Sequence, residues 1–184
     1  MNLGSGGVFD LTALTSGTYS LPSTGDLIGS GTLTGNGRLL AVLGAFQPGN
    51  SPGTVTADTG FTLDLSGATS TTFDITDPLF TAGTYDLVNG NGSTIFGGIL
   101  NLAFSGGSYA DGADMVQLFS NTGGFSGEFT SVVSTGLAAG QFATFNAATG
   151  AISITAVPVP STYAMALAGL ACGGWQMMRR RRLR

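Results

Sequence analysis

Short apolar alternations, broken by glycine every ten residues or so, constrain this chain more than any other feature. Phe61-Thr-Leu63-Asp-Leu65, Phe73-Asp-Ile75, Ile99-Leu-Asn-Leu102-Ala-Phe104 and Ala151-Ile-Ser-Ile-Thr155 place apolar residues mostly two apart. That period belongs to a half-buried strand, because successive side chains leave a strand on opposite faces. Thr, Val, Ile and Phe dominate these runs and suit a pleated surface. Between them stand Gly17, Gly25, Gly35-Asn-Gly37, Asn89-Gly-Asn-Gly92, Gly106-Gly107 and Gly123-Gly124. Glycine and asparagine supply the positive φ that tight turns require. No segment before residue 157 combines helical periodicity with caps. Leu39 to Phe46 is continuously apolar, and its length together with Gly44 predicts one buried strand.

Residues 1–156 therefore read as an all-β body. Strands at this spacing fit either a β-solenoid or an antiparallel β-sandwich, and alternation alone does not separate the two pairings. One inward position per short strand, with Asn, Gly, Ser and Thr at turns, favours the solenoid, in which stacking of thin coils makes the core. Phe61, Leu63, Leu65, Phe73, Ile75, Leu100, Leu102 and Phe104 are expected inside. Further phenylalanines, at 80, 96, 119, 125, 129, 142 and 145, are expected to pack with them. Tyr19, Tyr85 and Tyr109, near turns, are expected at the surface, where they could contact polysaccharide.

The body is acidic. Arg38 is the only basic residue before position 179 and faces all 10 acidic residues of the chain, and there is no lysine or histidine. Nucleic-acid binding is excluded on this ground, since nothing displaces counterions from phosphates. Ser-His-Asp, Cys-His, lysine-base and P-loop chemistries lack their residues. The lone Cys172 forms no internal disulfide. Paired carboxylates remain, as glycoside hydrolysis requires: Asp74 with Asp77, Asp111 with Asp114, and Asp58 with Asp64. Their positions on alternating strands and beside glycines favour solvated strand residues and turn formers. Asp86-Leu-Val-Asn-Gly-Asn-Gly92 and Asp111-Gly-Ala-Asp114 offer oxygen ligands for calcium, but neither has the spacing of a known calcium loop. No cofactor, metal or catalytic residue is assigned.

The last 28 residues are of another kind. Pro158 and Pro160 keep the approach extended. Thr162 to Met178 carries no charge and predicts a short transmembrane helix, 162–178. Gly169 and Gly173 are spaced for close helix approach, and Trp175 is expected near the arginine-side interface. Arg179, Arg180, Arg181 and Arg182, with Arg184 beyond them, oppose passage across the bilayer and stop transfer. This order places the body outside the cytoplasm.

The motif Val157, Pro158, Val159, Pro160, Ser161, Thr162, with the apolar segment and basic end behind it, resembles the PEP-CTERM sorting signal of Gram-negative bacteria. Val159 stands where the commonest form has glutamate. The resemblance implies export, transient anchoring in the inner membrane, cleavage by an exosortase-type membrane protease, and release to the cell surface or beyond, in association with exopolysaccharide and biofilm matrix. Met1-Asn-Leu-Gly-Ser-Gly-Gly7 does not read as the export signal such a tail requires, so the body is expected to continue upstream.

Gln47-Pro-Gly-Asn-Ser-Pro-Gly-Thr-Val55 is similar to a segment near the end of autotransporter passenger β-helices. The strands that follow, through Phe125-Ser-Gly-Glu-Phe129, keep that order over roughly residues 30–135. The resemblance implies a right-handed parallel β-helix. In physical terms the segment is a turn between coils, with Pro48 and Pro52 fixing φ and Asn50 capping backbone groups. The function expected is that of an exported structural or adhesive surface protein and not an enzyme. The alternative is a carbohydrate-active enzyme, a polysaccharide lyase or glycosidase, on the same scaffold.

Overall fold

The computed structural model describes residues 1–49, 52–105 and 107–157. They form no helix. The chain winds through coils of three short strands each. The first coil is β1 (Gly7–Asp10), β2 (Thr18–Leu21) and β3 (Leu27–Gly29). The second is β4 (Gly31–Thr34), β5 (Leu39–Val42) and β6 (Ala45–Pro48). The third is β7 (Thr54–Ala57), β8 (Thr62–Asp64) and β9 (Ser70–Ile75). The fourth is β10 (Leu87–Gly90), β11 (Ser93–Phe96) and β12 (Ile99–Phe104). After β13 (Gly112–Gln117), the fifth coil is β14 (Phe119–Asn121), β15 (Phe125–Gly127) and β16 (Ser131–Thr135). Strands β17 (Gln141–Asn146) and β18 (Ala151–Ala156) complete the fold.

Equivalent strands of successive coils stack into three five-stranded sheets, β1-β4-β7-β10-β14, β2-β5-β8-β11-β15 and β3-β6-β9-β12-β16. Every pair within them is parallel. This pairing separates the solenoid from the sandwich. It follows from the thinness of one coil, which cannot bury its own inner side chains. The antiparallel sheet β13-β18-β17 was not anticipated; it lies against the last coils.

The register lines up the core in columns. Leu40 sits over Leu63, and Val55 over Val88, which in turn faces Phe119. Phe61, Leu63, Leu65, Phe73, Ile75, Leu100, Leu102 and Phe104 are all buried, as the alternation predicts. At the C-terminal end the column becomes aromatic. The Phe96 ring lies 4.9 Å from Phe119, 5.4 Å from Phe125, 5.2 Å from Phe129 and 5.1 Å from Phe145, centroid to centroid. Edge-to-face and offset pairs of this kind add to burial.

Three expectations are corrected. Leu39 to Phe46 is not one strand but two, β5 and β6, meeting at a corner where Leu43 is exposed. Tyr109 is buried: its hydroxyl donates to the carbonyls of Ile75 and Ser105, and its ring meets Phe104 edge-on at 4.9 Å. Phe142 is exposed on β17 and takes no part in the core.

Candidate functional site

The outer surface of the β1-β4-β7-β10-β14 sheet carries a column in which Val8, Thr32, Thr56, Asn89 and Ser120 follow one another, coil over coil. Parallel neighbours are spaced about 4.8 Å apart, so side chains on one outward position touch those above and below. The Thr56 hydroxyl donates to Asn89 Oδ1 at 2.8 Å. The Thr122 hydroxyl donates to Asn91 Oδ1 at 2.9 Å, and on the next sheet the Thr62 and Ser93 hydroxyls are 2.9 Å apart. Hydroxyls and amides satisfy one another along the axis and leave further lone pairs and protons for a polar partner.

The carboxylates are spent mainly on corners. Asp10 accepts the Thr12 amide, Asp64 the Ser66 amide and Asp77 the Leu79 amide, each two residues on, as Asx turns do. Asp77 also accepts the Thr81 hydroxyl and amide. These bonds favour the ionised form and hold Asp10 and Asp77 below the usual carboxylate range, chiefly through Thr12 and Thr81. Asp26 accepts the Ala45 amide from the neighbouring coil. Of the pairs singled out in the sequence, Asp111 takes a bond from Gln141 Nε2, and Asp114 accepts Asn146 Nδ2 and the Thr149 hydroxyl at 3.4 Å each. Among the described residues no group of three or more Asp, Glu, His or Cys side chains is placed to hold a metal ion.

Two of the hollows among the described residues bear on the chemistry. One, of about 430 Å³, is lined by Glu128, Phe129, Val132, Phe145 and Asn146 at the C-terminal end of the coils. The other, about 410 Å³, runs over Leu39, Thr62, Ser93, Ile95 and Ser126 on the β2-β5-β8-β11-β15 sheet. Of these two, the first is lined by one carboxylate, Glu128, and the second by none.

Asp86 departs from the expectation that the acids are solvated. It is 2 % exposed and sits where the third coil passes to the fourth. Sequence reasoning missed it because its environment is made by residues far away in the chain.

The chain leaves the body along β18. Val157, the first residue of the Val157–Thr162 motif, donates its amide to the Gly140 carbonyl at 2.8 Å and is 54 % exposed. Pro158, Val159, Pro160, Ser161, Thr162, the apolar segment 162–178 and Arg179 to Arg182 lie outside the described residues, as do Asn50 and Cys172. No helix among the described residues is long and apolar enough to cross a membrane. No family model, curated protein or solved structure matches the chain.

Proposed function

We propose that this chain is an exported surface or matrix protein whose solenoid body is displayed outside the cytoplasm and whose tail serves sorting. The observation that carries the reading is the outer polar column Thr32-Thr56-Asn89-Ser120, continuous over successive coils and free of cations. Such a face suits lateral hydrogen bonding to a neutral, hydroxyl-rich polymer such as exopolysaccharide. The corner bonds of Asp10, Asp64 and Asp77 supply a structural account of those acids without chemistry. The solenoid is right-handed in this reading, because crossovers between parallel strands of one sheet overwhelmingly take that hand.

The tail completes the reading. Val157, the first residue of the motif, lies exposed just past β18, as recognition by an exosortase-type protease requires. Residues 162–178 span the inner membrane until cleavage, and Arg179 to Arg182 stay on the cytoplasmic side. Replacing those four arginines with glutamine in the full chain tests the anchor. Fractionation of the producing cells should show the protein shifted from the membrane to soluble fractions. Undiminished membrane retention contradicts the stop-transfer role.

A further inference from the structure

Asp86 is the one charged side chain in the core among the described residues. Its Oδ1 accepts the amide of Gly53 at 2.7 Å, and its Oδ2 accepts the amide of Asp74 at 2.8 Å. Gly53 leads into β7, and Asp74 lies in β9, so both donors belong to the third coil. Asp86 itself leads into β10 of the fourth coil. Its own amide donates to the Asp74 carbonyl at 2.9 Å, and the next amide, Leu87, donates to the Gly53 carbonyl at 2.9 Å. Two reciprocal pairs of bonds thus join the coils at one corner, and one bond of each pair is accepted by the Asp86 side chain. Gly49 is held against the same group: its φ is +97°, and a Cβ there would lie 2.4 Å from Oδ1.

Among the described residues no cation faces this carboxyl. Lysine and histidine do not occur, and the guanidinium of Arg38 donates to the Leu14 carbonyl at a different corner. The ionisable group that acts on it is Asp74, of like charge. We propose that Asp86 is a proton-operated clasp between the third and fourth coils, closed while its carboxyl is neutral and loosened when it ionises. Burial is the main cause, since a charge away from water with no countercharge is costly. It outweighs the two amide donors, which favour the ionised form, and pushes the carboxyl up to about 7 from 3.8.

The sign follows from linkage. The folded carboxyl keeps its proton where the unfolded one has lost it, so stability falls as pH rises from 3.8 to about 7 and levels off above. The corner is therefore tight in mildly acidic surroundings and loose in neutral to alkaline ones. Once ionised, the carboxylate gains hydration by parting the Gly53–Asp86 and Asp74–Asp86 bonds, which locally opens the junction without unfolding the remaining coils.

Amide hydrogen exchange of the full chain tests this. Corrected for the intrinsic pH dependence of exchange, protection of the Gly53, Asp74 and Leu87 amides should fall at least about tenfold between about pH 5 and about pH 9. Protection of the Val88 and Leu102 amides, deeper in the sheets, should fall less, since only openings that hydrate Asp86 become cheaper. Asp86→Asn, which keeps the shape and cannot ionise, should abolish the pH response. Should that variant not fold, the carboxyl carbon resonance of Asp86 in the unaltered protein reads the same group directly, with a midpoint expected near neutrality. Protection that does not change with pH, or a midpoint in the ordinary carboxylate range, overturns the clasp.

Discussion

Phe96→Ala should destabilise the body by about 3–5 kcal/mol, the range for removing a buried aromatic side chain. Phe96 is 2 % exposed and is the hub of the aromatic cluster, with Phe119, Phe125, Phe129 and Phe145 around its ring. Truncation removes four ring contacts at once and opens a cavity that the rigid stack of coils cannot collapse, because backbone pairing fixes the rung spacing. By contrast Asp64→Asn, at a solvated corner, keeps an oxygen that can accept the Ser66 amide and should change stability by less than about 0.5 kcal/mol. Chemical denaturation of both variants beside the parent measures the difference. Comparable losses in the two would mean that the aromatic column is not the core.

A second large effect is expected at Gly90. It lies in β10 with φ +114°, and a Cβ there would stand 2.2 Å from the Ala57 carbonyl oxygen of the coil beneath. Gly90→Ala must strain the backbone and push two paired coils apart, and the sum of these should reach about 3 kcal/mol or more. Gly124 separates the two causes. Its φ is +94°, yet nothing lies within 4 Å of its would-be Cβ. Gly124→Ala should therefore cost only the conformational part, about 1 kcal/mol. Equal midpoints for the two variants in thermal unfolding would contradict the close stacking at Gly90.

The inward faces of the strands were legible in the sequence because a period of two is imposed locally. Phe61, Leu63 and Leu65 alternate with Thr62 and Asp64, and no other part of the chain is needed to see it. What pairs with each strand was not legible. Leu63 rests on Leu40, a residue 23 positions earlier, and nothing in either run encodes parallel over antiparallel. The corner at Leu43-Gly44 was hidden because Leu43 is apolar although exposed, so β5 and β6 read as one strand. Tyr109 was misplaced because a polar hydroxyl suggests surface, whereas here the Ile75 and Ser105 carbonyls take its proton inside. Asp86 could not have been found from its neighbours in sequence. Its donors are the amides of Gly53 and Asp74, 33 and 12 residues away, and only the stacking of coils brings them together.

The polar outer column was partly legible. Threonine and asparagine at outward positions show in the alternation, but their alignment into a continuous face depends on the register between coils. Thr32, Thr56 and Asn89 come from strands separated by unequal lengths of chain, and the longer third-to-fourth step is taken up by residues 76–84, outside the stack. The tail lies outside the described residues, and its reading rests on chemistry alone: prolines, an uncharged stretch and terminal arginines each impose a separate physical constraint.

In the function proposed, the body is delivered outside the cytoplasm by a tail that is then cut away. Intact-mass measurement of the protein extracted from the cell surface, in cells with a working exosortase, tests it most directly. The expected mass ends near Pro160 and Ser161, without the apolar segment and the arginines. A mass that still includes Arg179 to Arg184 would contradict it.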